Sequence, residues 1–514
     1  MIKLLGSNPW RGNAISGSSR ALFCSIEATA SSPPPFEPLH VRISQAGNPR
    51  VSIVPILNQW VEEGRDVKKW ELQSFIKLFR KHRRYSHALQ ISEWMSDAQN
   101  QYLTPGDIAV RLDLISKVYG LQQAEAYFNS IPDQLRNFKV YGALLFSYVE
   151  NKSSEKAEII FEKMNKLGYL KGSLVYNAML TLYSQIGKHE KLDILVKEME
   201  EKGIDYDSYT LKIQLNSYAA ISEIDKLEKV LMKIEADPLV NVDWNGYVIA
   251  ANGFLKAGLL EKASTMLRRS EQLVGNQTNK FAYEVFLTLY TAIGNKDEVY
   301  RIWNIYKNKV GLYNSGYLCM LSSLLKLGDI DSAEMIVEEW ESVAKFFDIR
   351  IPNLLITAYC KKGLLEKAQL YIKRLEESGK ELDAVAWTRL TTGYHMDGQM
   401  GKAVDTMKKA ILVSRPGRKF NHLTLAACLE YLKEKGDVEV AQELLRLIRE
   451  KDYFSADLCD KLDKYVTGEP HKRDEEVSQE LLRLLEETDH LTFDSYDKVE
   501  DYTYDGSRVM AFIK

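Results

Sequence analysis

Apolar residues in the stretch 349–383 recur at helical spacing. Ile351, Leu354, Leu355, Ala358 and Tyr359 fall at i, i+3, i+4, i+7 and i+8, which is one face of a first helix. Gly363 interrupts that helix, and Leu364, Ala368, Tyr371, Ile372 and Leu375 mark the inner face of a second. Gly379 then stops the second helix, and Asp383 stands where the N-cap of another belongs. The pattern predicts a two-helix hairpin of 35 residues. Neither helix can bury its apolar stripe alone, so each hairpin needs stacked neighbours.

The same template recurs along the chain. The position of Pro352 is filled in turn by Leu72, Ala109, Tyr141, Tyr176, Leu211, Tyr247, Tyr283, Tyr317, Pro352, Trp387 and Leu425, at steps of 32–38 residues. Turn glycines stand eleven residues further on, at Gly120, Gly187, Gly258, Gly294, Gly328, Gly363, Gly398 and Gly436. A small residue at the crossing of the two helices recurs as Ala157, Ala263, Ala333, Ala368, Ala403 and Ala441. Near-copies such as KAGLLEKA (256–263) and KKGLLEKA (361–368) lie 105 residues apart because both span a turn and a crossing. The expected fold is all-α, a right-handed α-solenoid of about eleven stacked hairpins.

Composition narrows the possibilities. No apolar run approaches the length of a membrane span; VYGALLFSYV at 140–149 is about the longest. The five cysteines are scattered without a C-x-x-C, so neither a disulfide framework nor a structural zinc site is supported. The first 26 residues carry Lys3, Arg11 and Arg20, several serines and no acid, the composition of an organellar transit peptide. A merely disordered terminus has the same composition. SSPPPFEP at 31–38 reads as linker. Residues 469–514 hold 13 acidic against 6 basic side chains, so the body of the chain is nearly neutral. That counts against a binder relying on phosphate charge alone and leaves room for a basic stripe. The expected layout is a leader (1–30), a linker with an N-terminal cap (31–68), repeats (69–460), and an acidic cap helix and tail (461–514).

A period of 34 suits tetratricopeptide repeats, but their W…LG…Y…P pattern is absent. The segment VYNAMLTLYSQIGKHEKLDILVKEMEEKGIDYD (175–207) instead resembles the pentatricopeptide repeat, with its Tyr-Asn pair, central Gly and closing Gly-Ile-x-x-Asp. The resemblance spans roughly 70–460, is strong at 175–207, 247–280 and 349–383, and is weak in the first two units. ELQSFIKLFRKHRRYSHALQISEWM (71–95) looks like the start of plant organellar members of the P class.

The resemblance implies single-stranded RNA held at about one base per repeat, read by two or three side chains. The first readers would be Gly142, Asn177, Lys212, Val248, Glu284, Leu318, Asn353, Thr388 and Ala426. Asn177 with Asp207, and Asn353 with Asp383, are the pair type that prefers uracil in this family. Thr388 with Asn421 resembles an adenine-reading pair in a repeat three residues too long. Leu174 and Tyr209, then Arg350 and Val385, would flank the two bases by stacking. Lys256, Lys326 and Lys361 stand where the family approaches phosphate, although Glu434 takes that place in the last repeat. Each role has a plainer counterpart: aspartates before helices are N-caps, and surface lysines are solvated. Read as RNA, the pairs specify U-x-x-x-x-U, extended by A if Thr388 and Asn421 also act.

No catalytic signature accompanies the repeats. Beyond residue 454 there is neither the H-x-E nor the C-x-x-C of the zinc deaminases appended to some plant relatives, and DYTYDG (501–506) resembles that domain's end only superficially. The eight histidines are scattered, so no metal or cofactor is expected. EEVSQELLRLLEE (475–487) reads as a capping helix. The expectation is a non-enzymatic organellar RNA-binding protein, mitochondrial ahead of chloroplast. It would act in RNA processing, stability, editing or translation by occupying a transcript segment. Its expected partners are RNA and RNA-processing or ribosomal proteins, with no membrane and no small-molecule substrate. The second reading is a protein-binding scaffold or organellar ribosome subunit whose RNA code has decayed.

Overall fold

The computed structural model describes residues 38–45, 51–97, 103–236, 242–275, 279–415, 422–451 and 453–468. The leader, Cys24, Asn421 and the helix expected over 475–487 lie outside the described residues. The chain forms two compact units, Met1–Val242 and Asp243–Lys514. Both are all-helical, with no strand among the described residues.

The first unit holds five hairpins: Lys69–Lys81 with Tyr85–Asp97, Pro105–Tyr119 with Leu121–Ser130, Phe138–Glu150 with Ser154–Lys166, Ser173–Gln185 with His189–Glu201, and Ser208–Ala220 with Ile224–Ala236. Helices Leu39–Gln45 and Val54–Glu62 precede them, and Ile53 and Leu57 join the apolar core of the first hairpin. Trp94 Nε1 donates to Asn58 Oδ1 at 2.7 Å, tying the second of these helices to that hairpin.

The second unit holds six: Trp244–Lys256 with Leu260–Val274, Lys280–Ile293 with Lys296–Lys309, Asn314–Lys326 with Ile330–Val343, Arg350–Lys361 with Leu365–Glu377, Ala384–Met396 with Met400–Val413, and His422–Lys435 with Val438–Glu450. A final helix, Ala456–Thr467, packs on the eleventh hairpin. Each unit is thus a run of α-solenoid.

The turn explains the period. Two antiparallel helices can bury their stripes against each other only if the chain reverses within a few residues, which needs one residue in the left-handed region. All eight turn glycines have φ between 71° and 88°. The three hairpins without a glycine make the same turn with Arg83 (φ 57°), Lys152 (φ 54°) and Ser222 (φ 57°), each eleven residues after its template position. The crossing alanines Ala157, Ala263, Ala333, Ala368, Ala403 and Ala441 are all buried, as close helix approach requires.

One inner-face assignment shifts. Leu364 is the N-cap of its helix and 38% exposed, while Leu365 is buried at 4%. The turn consumes one residue more than helical counting from Ala368 suggests. Asp207, Asp243 and Asp383 do cap helices through Oδ, accepting from backbone N–H groups. Asp348 sits one residue before the N-cap Ile349 and accepts instead from Arg350 N at 3.2 Å.

Neighbouring hairpins are also stapled by a recurring polar contact. Lys191 pairs with Glu158 of the preceding hairpin at 2.6 Å, while the Tyr183 hydroxyl donates to the same carboxylate at 3.4 Å. Lys226 and Tyr218 do this to Asp193, both at 2.8 Å, and Lys367 and Tyr359 do it to Glu334, both at 2.8 Å. Each lysine lies over the face of its own tyrosine, 5.7–5.8 Å from the ring centre. Burial first, then the carboxylate, pushes the Tyr183 hydroxyl up to about 12, so it remains a donor at neutral pH.

Ala368→Glu places an unpaired charge at a helix crossing and should cost about 3–5 kcal/mol in a thermal or denaturant melt. At the turns the sign reverses. Lys152→Gly and Ser222→Gly relieve left-handed strain and should each stabilise by about 0.5–1 kcal/mol, whereas Gly363→Ala should destabilise.

Candidate functional site

The first turn of the helix Ser173–Gln185 meets the N-cap of the next hairpin's first helix. Tyr176 is buried, which fixes the phase of the helix and turns Asn177 toward Asp207, the N-cap of Ser208–Ala220. Asn177 Nδ2 donates to Asp207 Oδ1 at 3.1 Å and to Oδ2 at 3.2 Å. The same carboxylate accepts from Thr210 N at 2.7 Å and from the Ser173 hydroxyl at 2.9 Å. Burial works to raise the Asp207 carboxyl, but these donors outweigh it and hold the group below its usual range. The Thr210 hydroxyl lies 2.8 Å from Asn177 Oδ1.

The ninth hairpin repeats the arrangement with one difference. Asn353 Nδ2 donates to Asp383 Oδ1 at 3.1 Å, and Val385 N and Ala386 N converge on the same oxygen at 3.0 and 3.3 Å. Asn353 is 8% exposed, and its Oδ1 is buried without a hydrogen-bond donor. The structure therefore brings both expected asparagine–aspartate pairs together, and in the second the amide oxygen is buried without a donor.

The remaining candidates are distributed unevenly. The Thr388 hydroxyl donates to Ala384 O of its own helix at 2.6 Å, and its expected partner Asn421 is outside the described residues. Leu174 is exposed, whereas Tyr209 and Val385 are half-buried. Arg350 is exposed but held by Asp348, Nη2 to Oδ2 at 2.6 Å and Nε to Oδ1 at 2.9 Å, which restricts its freedom to stack. Lys256, Lys326 and Lys361 are exposed in the last turns of their helices, a place the helix dipole favours for any lysine. Among the other first-reader positions, Val248 and Ala426 are buried apolar residues, and Gly142, Lys212 and Leu318 are half-buried.

Glu284 occupies the same position in the seventh hairpin and is also buried. Burial pushes its carboxyl above the usual range. The Tyr306 hydroxyl at 3.3 Å, the Lys280 ammonium at 3.8 Å and nearby Ser315 oppose the shift without cancelling it. A cleft of about 530 Å³ lies beside the first pair, lined by Leu170–Ser173 and Lys202–Asp207, the loops that lead into the fourth and fifth hairpins. Sequence reasoning missed Thr210 and Ser173, whose role depends on a neighbour more than thirty residues away.

Among the described residues no group of three His, Cys, Asp or Glu side chains could hold a metal ion. Burial pushes the Cys360 and Cys428 thiols up to about 12, which disfavours the nucleophilic thiolate. No helix among the described residues is long and apolar enough to cross a membrane.

Comparison with known proteins follows the same repeats. The sequence model of the PPR repeat matches residues 139–169, 174–204 and 351–379. A mitochondrial pentatricopeptide repeat-containing protein of Arabidopsis thaliana is 46% identical over 436 residues, covering 85% of this chain and 89% of that protein. The chain belongs to the pentatricopeptide repeat family. A large ribosomal subunit protein of Arabidopsis thaliana is 41% identical over 431 residues, covering 83% of this chain and 87% of that one. The crystal structure of the pentatricopeptide repeat protein PPR10 in complex with an 18-nucleotide RNA element shares the fold, with TM-score 0.54 at 18% identity. That match covers 78% of this chain and spans 58% of PPR10. The stretch 247–280 is not among the matched pentatricopeptide segments. Its second helix, Leu260–Val274, runs two residues longer than the thirteen common in this chain and ends at Gly275, without the family's closing Gly-Ile-x-x-Asp.

Glu284 offers a pH test of the reader positions. A carboxyl raised in the folded state contributes stability below its unfolded pKa, and that contribution is lost as pH rises through the folded value. Glu284→Gln should therefore raise the melting temperature at pH 7–8, with the advantage vanishing near pH 4; an equal difference at both pH values would contradict the burial assigned here.

Proposed function

We propose that this protein binds a segment of single-stranded RNA in plant mitochondria and acts by occupying it. The observation that carries the reading is the buried, donorless Oδ1 of Asn353, held in place by Asp383 at the position where this family reads a base. A base edge carrying an N–H has the donor this oxygen lacks, and reaching it requires the groups that cover the oxygen to give way. The arrangement of the fourth hairpin, Asn177 with Asp207, gives the same chemistry a second place. Leu174, Tyr209 and Val385 supply apolar surface for flanking bases, and Arg350 does so only by leaving Asp348. Lys256, Lys326 and Lys361 offer charge toward phosphate. The mitochondrial assignment draws on the basic, acid-free leader and on the 46% identical mitochondrial relative. Occupancy protects or remodels RNA, or guides a partner, in processing, stability, editing or translation. Any cleavage or base modification then belongs to that partner.

A second reading has its own support. A relative 41% identical is a large ribosomal subunit protein, and exposed apolar side chains recur on second helices at Ile159 and Ile194, and again at Met335 and Leu370. A ribosomal or scaffold role would place protein contacts there.

Random-RNA selection with the purified protein separates the two. Losing a base-edge contact costs about 1–3 kcal/mol, so Asn353→Ala should weaken binding of a selected RNA roughly 5- to 150-fold and relax preference at one base. Lys256→Ala with Lys326→Ala should weaken all sequences alike and reduce the salt dependence. A selected pool with no enriched sequence would leave the protein-binding role as the account of this fold.

A further inference from the structure

Among the described residues of the second unit, the exposed aromatic side chains are Tyr313 and Phe346, at 52% and 80%. Both stand in the loops that enter hairpins, Tyr313 before the eighth and Phe346 before the ninth, with exposed Leu312 and Val343 near them in the chain. We propose that this edge is a stacking platform for unpaired nucleobases, which holds RNA between the two asparagine–aspartate pairs without reading its sequence. This rests on the RNA-binding reading above and adds a contact to it.

The two rings share one support. Asn314, next to Tyr313, accepts from Trp340 Nε1 at 2.9 Å and donates through Nδ2 to Phe346 O at 3.4 Å. The Trp340 ring packs on Phe347 with centroids 5.6 Å apart, so Phe347 is half-buried while Phe346 stays outside. Tyr313 is an N-cap whose side chain makes no capping hydrogen bond. Neither exposed ring is spent on the core or on a helix end. Aromatic surface held in water in this way is unfavourable until something covers it.

The surroundings favour bases as the cover. The flanking position filled by Leu174, Tyr209 and Val385 in other hairpins is Ser315 in the eighth and Arg350 in the ninth. The first is small and polar, and the second is a guanidinium already held by Asp348. Stacking surface is thus missing where the rings stand, two residues before Ser315 and four before Arg350. The first-reader positions here are the buried Glu284 and the apolar Leu318, so an aromatic face that accepts any base suits this stretch. Cations stand at the rings. The Lys280 ammonium lies 4.9 Å from the Tyr313 ring centre, Lys380 lies 5.1 Å from that of Phe347, and Lys345 is exposed next to Phe346. Of the nearby acids, Asp348, Glu339 and Glu341 are matched by Arg350, Lys307 and Arg374, while Glu381 offsets Lys380. Bases on the rings with phosphates toward the ammonium groups fit this pattern better than an apolar protein surface does.

The test uses full-length protein and labelled single-stranded RNA from the selection, intact or with abasic nucleotides at the two positions just before the second uracil. Removing those bases should weaken wild-type binding about 5-fold or more, whereas exchanging them among the four bases should change it less than about 3-fold. Tyr313→Ala with Phe346→Ala should weaken binding of the intact RNA by a similar factor and leave binding of the abasic RNA nearly unchanged. Tyr313→Phe with Phe346→Tyr keeps both ring faces and should bind as wild type does. The exposure of both side chains lets the alanine variant fold, which its melting temperature checks. Wild-type affinity for intact RNA in the alanine variant, or the same loss on intact and abasic RNA, would overturn the proposal while leaving RNA binding intact. Failure of wild type to bind any RNA would instead remove the functional reading on which the proposal stands.

Discussion

The constraint on which everything else depends is the reversal of the chain inside each hairpin. One left-handed residue brings the second helix back against the first, and its position sets the phase of both. Counting back eleven residues from it reaches a core position such as Tyr176 or Pro352, and the next residue is Asn177 or Asn353. Counting forward five from Gly258, Gly328, Gly363, Gly398 and Gly436 reaches the crossing alanine. The asparagine is aimed at the following N-cap because the aromatic or proline before it is locked into the core. Site geometry is therefore inherited from the turn, with no separate device to hold it.

This dependence explains what could be read from the chain. The turn glycines, crossing alanines and helix stripes are local patterns, and they locate all eleven hairpins, including three whose turns lack glycine. The pairing of Asn177 with Asp207 was legible only through a family resemblance, because thirty residues of chain separate the two. Thr210 was not legible, since a threonine in a first helical turn is ordinary until its hydroxyl is seen against a neighbouring amide. The staple of tyrosine, carboxylate and lysine escaped for a related reason. Its members are spread over two hairpins, and its acceptor varies: Glu158, Asp193, Glu334, and Gln369 beneath Tyr394. The Leu364 shift shows the opposite limit, because helical counting cannot tell which of two adjacent leucines begins a helix.

The positions expected to read bases are also claimed by packing. Val248 and Ala426 are spent on the core, and Glu284 is a carboxylate held where water cannot solvate it. Asn177 and Asn353 keep an amide at the position, each held by an aspartate. A nearly neutral body is poorly suited to extended electrostatic tracking of a nucleic acid.

The three left-handed residues that are not glycine have a mechanical consequence. Arg83, Lys152 and Ser222 all belong to the first unit, and every hairpin of the second unit turns on a glycine. Strain is thus concentrated toward the N-terminus, where the first, third and fifth hairpins each give some of it back on opening. A chain drawn by its leading end through a narrow passage meets these hairpins before the relaxed ones. Within the first unit, opening is easiest at these three turns.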